Sequence, residues 1–148
     1  MKTLKFLILG TISLFLFNCS NDDDGAREVT PPTIHEQIAY KWYLSKVETV
    51  GDVVHLLLTD CDKRTYYEFF SNGEANIEFF ETQPDGSCES TFFVNGTYEI
   101  LEIDGDTGVL ISTEGGESEG SIIVSVSETE LVLEQQGFGT RHLTFVKE

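Results

Sequence analysis

Alternating apolar and polar residues dominate this chain over most of its length. In residues 74–81, Ala75, Ile77 and Phe79 fall on one side of an extended chain, and polar residues fall mostly on the other. Apart from one isoleucine, residues 121–127 alternate in the same way between serines and branched aliphatic residues. A strand with one apolar and one polar face is typical of an antiparallel sheet that buries one side. The pattern therefore predicts an all-β domain.

Turn-forming sequences divide these runs into short strands. Asn95-Gly96 lies between two such runs and is the strongest short hairpin signal, so we expect a turn there. About eight short strands joined by tight turns predict an antiparallel up-and-down β-barrel, with a β-sandwich as the alternative. The expected strands are Lys41–Val50, Thr65–Phe70, Glu74–Glu81, Glu89–Val94, Thr97–Ile103, Gly108–Thr113, Ser121–Ser127, Glu130–Gln135 and Thr140–Lys147.

Two segments depart from this pattern. Thr33 and Glu36 have the spacing of a capping box, which predicts a short N-terminal helix near residues 34–39, before the first strand. The apolar run within Val53–Thr59 lies between two expected strands. It fits either a buried strand or a lid over the mouth of a barrel.

The N-terminus has the pattern of an export signal. Basic Lys2 and Lys5 precede the apolar run Phe6–Phe17, which is shorter than the ~20 residues of a membrane-spanning helix. The run ends in Leu16-Phe17-Asn18-Cys19, which resembles the lipobox of bacterial lipoproteins. This resemblance implies a signal peptide at residues 1–18 and a diacylglyceryl group on Cys19. The alternative is an ordinary secretory signal that contains a cysteine.

The sequence after Cys19 is acidic and polar. Ser20–Gly25 includes three consecutive aspartates, and a run of like charges stays extended. We expect residues 19–32 to form a lipidated, acidic, flexible tether and residues 33–148 to form the barrel domain. The acidic stretch resembles a signal that sends some Gram-negative lipoproteins to the cell surface. The prediction is an outer-membrane lipoprotein, exposed at the cell surface in preference to the periplasmic face.

The charge balance excludes one class of partner. The chain has 9 basic and 26 acidic residues, a formal net charge of −17. Removal of the signal peptide takes away two lysines and no acid, which leaves −19. A protein this acidic repels the nucleic-acid backbone, so no nucleic-acid partner is expected. Eleven Phe and five Tyr are too many for a disordered acidic tail.

The three cysteines support an exported protein. If Cys19 carries lipid, Cys61 and Cys88 remain as a pair. An oxidising compartment favours a disulfide between them. A metal site or a redox pair fits poorly, because the two residues lack the close Cys or His spacing that zinc sites show.

Several segments in order resemble small bacterial lipocalin-like lipoproteins. Ala39-Tyr40-Lys41-Trp42 is similar to their first strand, in which an early Trp follows a short helix, although Tyr40 stands where glycine is usual. Asp60–Lys63 and Tyr66–Gly73 resemble the family's first cysteine and the aromatic strand after it. The remaining matching segments are Cys88, Asn95–Tyr98, Thr129–Leu133 and Leu143–Lys147. The resemblance implies a lipocalin-like β-barrel over about residues 34–147.

The resemblance also implies roles for individual side chains. The early Trp42 would pack at the closed end of the barrel, with Arg141 as a structural cation–π cap. The alternative places Arg141 on the solvated surface. Inward aromatic residues would line a ligand cavity. The candidates for this lining are Trp42, Phe69, Phe79, Tyr98 and Phe145.

The sequence contains no complete catalytic motif, so we expect no enzyme activity, cofactor or metal site. Asp106-Thr107-Gly108 matches the core of an aspartic-protease motif without its apolar flanks, and Asp-Gly pairs are common in turns. The three histidines have no metal-binding spacing, and no nucleophile elbow or phosphate loop is present. Close carboxylate pairs would arise by chance among 26 acids, and none stands out.

Three functions remain open at the level of sequence. The first is a carrier that binds a small hydrophobic ligand inside the barrel. The second is a surface interaction module with a filled barrel that binds a protein or glycan through loops such as Gly115–Gly120 and Val53–Thr59. The third, a hydrolase, lacks a site. The lipocalin resemblance favours the carrier, and a monomer is expected.

Overall fold

Nine antiparallel strands and one short helix make up the part of the chain that the structure describes. The structure is a computed structural model that describes residues 30–51, 54–137 and 139–148. The expected signal peptide, the lipidation site Cys19 and most of the expected tether lie outside the described residues. The elements are α1 (Ile34–Ile38), β1 (Lys41–Thr49), β2 (Val54–Leu56), a 3₁₀ turn (Asp62–Arg64), β3 (Tyr66–Phe69), β4 (Glu74–Thr82), β5 (Cys88–Ile103), β6 (Asp106–Thr113), β7 (Ser118–Val126), β8 (Glu130–Gln135) and β9 (Arg141–Lys147).

The sheet closes on itself through its first and last long strands. From β3 to β9 each strand pairs with the next, and β9 returns to pair with β1. Trp42 of β1 lies opposite Lys147 of β9, and Leu44 lies opposite Phe145. Eight strands therefore form a closed antiparallel barrel, and the short β2 lies beside the second half of β1. The predicted barrel is confirmed, and the sandwich alternative is wrong.

The capping box predicted for the N-terminal helix is present. The Thr33 amide donates to Glu36 Oε2 at 2.8 Å, and the Glu36 amide donates to Thr33 Oγ1 at 3.3 Å. The bond from the Thr33 backbone holds the pKa of the Glu36 carboxyl below its ordinary value. The helix ends at Ile38, whose side chain is fully buried. The helix therefore covers one end of the barrel, the closed end.

The predicted hairpin at Asn95-Gly96 is wrong. Residues 88–103 form one strand of 16 residues, which pairs first with β4 and then with β6. Gly96 lies opposite both Ala75 and Thr113, and its backbone has no positive φ of the kind a type I′ turn requires. A Cβ atom at this position would collide with the carbonyl oxygen of Ser112. Gly96 is needed for this close approach of β6.

Positive φ angles mark the real turns elsewhere. Gly73 between β3 and β4, Gly86 between β4 and β5, and Gly105 between β5 and β6 have φ of 87°, 85° and 93°. All three lie in segments that the sequence identifies as turns. The first sits near the closed end, and the β4–β5 turn marks the opposite, open end.

The apolar segment before β3 is mostly exposed where the structure describes it. Val47 of β1 lies opposite Leu56, so β2 is a short edge strand. Leu57 is 96% exposed, and Leu56 is 45% exposed. The prediction of a buried strand is therefore wrong for these two residues. Val53 lies outside the described residues, and the lid hypothesis stays a prediction.

The predicted disulfide between Cys61 and Cys88 is present. Their Cα atoms are 5.5 Å apart, and the bridge ties the residue before the 3₁₀ turn to the start of β5. Cys61 is buried. The two residues are 27 apart in sequence. A bridge across a loop of this length stabilises the folded state by about 3–4 kcal/mol, mainly through the unfolded chain.

We predict that Gly96→Ala destabilises the barrel by about 1–3 kcal/mol, because the added Cβ would push β5 away from the backbone of β6. Urea denaturation of a domain that starts near the first helix measures this change. Gly115→Ala is the control, since a Cβ there would make only an ordinary contact, at 3.6 Å from Thr113 Oγ1. Equal stability of the two variants would show that Gly96 is not a point of close approach.

Candidate functional site

The closed end of the barrel is sealed by Trp42 and the helix that precedes it. The Trp42 side chain is fully buried, and its Nε1 donates to the backbone carbonyl of Ile38 at 2.8 Å. This bond satisfies the one polar atom of the indole, which would otherwise be costly to bury. The His35 ring stacks on Tyr98, and its Nε2 lies 3.0 Å from the Tyr98 hydroxyl. The helix is thus fastened to the floor of the barrel.

Aromatic rings fill the space above this floor. Tyr67 and Phe145 have ring centroids 4.8 Å apart, and Phe69 and Tyr98 have centroids 5.0 Å apart. Phe79 is half-buried and packs edge-on against Tyr67, with centroids 6.0 Å apart. Ring pairs in this range contribute about 0.5–1.5 kcal/mol beyond their burial. The closed half is a packed core.

The five predicted ligand-lining residues therefore belong mainly to this core. Four of them are buried, and Phe79 is the exception. None of the five is among the residues that line the cavity described below. The set in question is Trp42, Phe69, Phe79, Tyr98 and Phe145. Their burial places them in the packed interior, away from the cavity lining.

The predicted cap of Trp42 by Arg141 is wrong. Arg141 is exposed and lies opposite Thr49, seven residues along β1 from Trp42, a distance of about 23 Å at ~3.3 Å per residue. The residue opposite Trp42 is Lys147. Lys147 Nζ lies 2.9 Å from the centroid of the Tyr40 ring, which meets Trp42 edge-on. The closed end therefore has a cation–π contact, but it joins Lys147 and Tyr40 and not Arg141 and Trp42.

A cavity of about 320 Å³ lies at the open end. Its apolar wall comes from strands β4, β5 and β6, and its polar wall comes from the start of β7 and the turn before it. Register explains the grouping, because Ile77 lies opposite Val94 and Ile111 lies opposite Glu119. The lining residues are Ile77, Phe92, Val94, Ile111, Thr113, Glu117, Ser118 and Glu119.

A hydrogen-bonded chain links the cavity wall to the aromatic core. Gln135 Nε2 donates to Glu119 Oε1 at 2.6 Å and to the Tyr67 hydroxyl at 3.1 Å. Burial raises the pKa of the Tyr67 phenol, whose side chain is only 1% exposed. Partial burial likewise raises the pKa of the Glu119 carboxyl, although that side chain stays exposed at the mouth. The cavity thus combines apolar walls with one accessible, hydrogen-bonded carboxyl group.

Neither the described histidine side chains nor Asp106 lines this cavity. His35 lies at the closed end against Tyr98, and His142 Nε2 lies 3.0 Å from Glu134 Oε2. The side chain of His55 lies outside the described residues. Within the described ranges, no group of three or more His, Cys, Asp or Glu could hold a metal ion. Asp106, from the protease-like triplet, begins β6 directly after the Asp104-Gly105 turn.

Glu119 and Gln135 are not among the site residues predicted from the sequence. Gly115–Gly120 was expected to be a loop, whereas β7 begins at Ser118. The available signal was alternation, because Glu119 shares a strand face with Ser121 and Ile123, both of which are buried. A glutamate at the end of an inward-facing row indicates the mouth of a barrel.

Comparisons with known proteins agree with this architecture. The profile of the Lipocalin-like domain family matches residues 38–133. The chain belongs to this family, and its barrel is of the ligand-binding type. This confirms the resemblance drawn from Trp42 and the segments that follow it.

The similar solved structures share little sequence identity with this chain. A lipocalin-like protein from Bacteroides uniformis is 17% identical, with a TM-score of 0.50 over 76% of this chain and 99% of that one. An uncharacterized protein from Bacteroides eggerthii is 16% identical, with a TM-score of 0.47 over 75% of this chain and 99% of that one. No curated protein is significantly similar in sequence. At these identities the first structure supports the fold alone.

We predict that Glu119→Gln raises the melting temperature at pH 7. The folded state holds the Glu119 proton more tightly than the unfolded chain does, so ionisation above the ordinary pKa of 4.5 lowers the free energy of unfolding. The gain should shrink as the pH falls below 4.5, because the wild-type carboxyl is then protonated. Thermal denaturation at both pH values measures the difference.

The matched control is Glu130→Gln, which removes the same charge from an exposed position at the start of β8. It corrects for the general relief of repulsion in a chain of net charge −17. An equal gain in both variants, at both pH values, would show that ionised Glu119 carries no local penalty.

Proposed function

We propose that this chain is a membrane-anchored lipocalin-like lipoprotein that binds a small apolar ligand in the open-end cavity. The observation that carries the proposal is the cavity of about 320 Å³ with Ile77, Val94 and Ile111 in its wall. Ligand pockets are typically ~300–1,000 Å³, mostly apolar, with a few polar groups that orient the ligand. This cavity lies at the small end of that range, which favours a compact ligand.

The walls and the polar anchor define how such a ligand would lie. Val94 and Ile111 are buried on the inward faces of β5 and β6, so packing fixes the positions of these wall residues. The apolar surface that water reaches lies mainly on the aromatic residue of the lining. Phe92 is 50% exposed and lines the same cavity. A ligand that covers these groups gains about 25 cal/mol for each Å² of apolar surface removed from water. Glu119 and Gln135 would orient its polar end.

A surface interaction module is the second candidate, and the packed closed half of the barrel favours it. Among the described residues, aromatic rings fill the closed half of the barrel interior, so a ligand inside the barrel would lie at the open end. Phe93 is 55% exposed on the outward face of β5, opposite Glu78 of β4. An exposed aromatic residue of this kind suits contact with a protein or glycan. In this version the barrel is a scaffold for its surface.

We propose a binding role and not a catalytic one. The polar side chains at the cavity are hydroxyls, carboxylates and an amide, and the aromatic core seals the space beneath them. Nucleophilic catalysis needs a nucleophile held beside a base. Among the lining residues, Ser118 has its Oγ 3.1 Å from Ser112 Oγ and no His or Lys beside it in the lining set.

We propose that lipid on Cys19 holds the protein at the outer membrane, facing the cell surface. The lipobox-like sequence and the acidic stretch after it support this. No helix among the described residues is long and apolar enough to span a membrane. Anchoring would then depend on acyl chains, each contributing ~0.8 kcal/mol per buried methylene.

Ligand binding predicts the effect of filling the cavity. Thr113→Trp should reduce the affinity for an apolar fluorescent probe at least tenfold, because the indole would occupy the space beside Val94 and Ile111. Thr97→Trp is the control, since Thr97 is exposed on the outer face of the neighbouring strand. Fluorescence titration measures both affinities. Loss of binding in neither variant, or in both alike, would count against the cavity.

Lipid anchoring predicts a change in partitioning. Cys19→Ala should move the protein from the membrane fraction to the soluble fraction, since it removes the site of acylation. Detergent phase separation of cell extracts measures this, and protease treatment of intact cells reports surface exposure. Full retention of the variant with membranes would overturn the anchor proposal.

A further inference from the structure

The open-end cavity carries charge of one sign. Its lining includes the carboxylates of Glu117 and Glu119, and none of the described residues that line it is basic. The remaining polar groups in the lining are the hydroxyls of Thr113 and Ser118. A ligand that enters the cavity therefore meets apolar surface below and negative charge at the rim.

Glu119 is placed to contact such a ligand. Its side chain is exposed at the mouth, and its Cα lies opposite that of Ile111 in the β6–β7 ladder. Oε1 accepts the Gln135 hydrogen bond at 2.6 Å. Within the described part of the chain, Oε2 has no hydrogen-bond or ion-pair partner. Gln135 is itself fixed by the buried Tyr67, so the carboxyl group is held in one orientation.

This carboxyl group is kept at a cost to the fold. Partial burial disfavours its charged form, as the raised pKa indicates. A group that destabilises the folded state is often retained for function. A cation from the ligand would compensate for the lost hydration, and the charge-assisted hydrogen bonds it forms are stronger than neutral ones.

We propose that the open-end cavity selects apolar ligands that carry an ammonium group, whose charge pairs with the Glu119 carboxylate while the apolar body lies against Val94 and Ile111. This inference rests on the proposed function and adds the chemical class of the ligand. The cavity volume of about 320 Å³ equals that of roughly ten water molecules at the ~30 Å³ that each takes up in the liquid, which suits a compact apolar body. The two rim glutamates repel fatty carboxylates of the same size and so weaken their binding.

The experiment compares three probes with one chain length: octylamine, octanol and octanoate. Isothermal titration calorimetry or displacement of a fluorescent probe gives each dissociation constant at moderate salt. We expect octylamine to bind about tenfold more tightly than octanol, the effect of one partly exposed charge-assisted contact. Octanoate should bind at least tenfold more weakly than octanol.

Two matched variants distinguish a direct contact between Glu119 and the ammonium group from the long-range attraction that any acidic protein exerts on a cation. Glu119→Gln should reduce the ratio of the octanol to the octylamine dissociation constant from about ten to near one. Glu130→Gln removes an equal charge far from the cavity and should leave that ratio unchanged. Melting temperatures show that both variants are folded. A similar fall of the ratio in both variants would overturn the inference, because long-range attraction alone would then explain it.

The results of these titrations also distinguish selection for an ammonium group from the proposed binding of apolar ligands in the cavity. If octanol binds and octylamine binds no more tightly, the cavity takes apolar ligands but Glu119 does not select them, and only this inference fails. If none of the three probes binds, the proposed ligand-binding function fails as well. Tighter binding of octanoate than of octylamine would likewise overturn the inference.

Discussion

The pairing of β1 with β9 is the constraint on which the rest of the structure depends. It turns a row of strands into a barrel and so covers the edges that β1 and β9 would otherwise expose, while the short β2 stays an edge strand. It also brings Trp42 opposite Lys147, next to the helix whose Ile38 carbonyl accepts the indole hydrogen bond. The strand pairing that closes the barrel therefore also positions the Trp42 side chain that seals its closed end. Without it, the inward faces of all eight strands would lose their partners.

The sealed end divides the barrel into two halves with different roles. Bulky rings such as Tyr67 and Phe145 fill the closed half of the barrel and pack above the helix that seals it. Aliphatic side chains from β4, β5 and β6 form the apolar wall of the cavity in the open half. Gln135 joins the two halves, since it bonds both the buried phenol and the rim carboxyl group. The packed half thus fixes the position of a side chain in the half that contains the cavity.

The sequence predicted the fold better than the site. Alternation in residues such as Ala75, Ile77 and Phe79 indicates which way each side chain points, and this is a local property of the strand. Height along the barrel depends on register between strands that are far apart in sequence. The packed core and the apolar wall of the cavity are also built from the same aliphatic and aromatic residue types, so residue type does not distinguish them. For this reason Phe145 was a candidate for the cavity lining from the sequence, whereas the structure places it in the packed core and not at the cavity.

The two clearest errors have the same physical origin. Asn95-Gly96 is the strongest local hairpin signal, yet Gly96 is there because the backbone of β6 passes too close for a side chain. Arg141 was expected at Trp42, yet the register with β1 places it opposite Thr49. In both cases a contact between distant segments decided the outcome. A single sequence contains the local signal and not the contact.

The most direct test of ligand binding at the open end is a methyl NMR titration of the barrel domain with octylamine. We expect chemical-shift changes at Ile77, Val94 and Ile111, whose side chains line the open-end cavity. Ile38 and Leu131 are fully buried and absent from the cavity lining, so their signals should not move. Changes centred on Ile38 and Leu131, or confined to the outer face of the barrel, would contradict the proposal that ligands bind in the open-end cavity above a packed core.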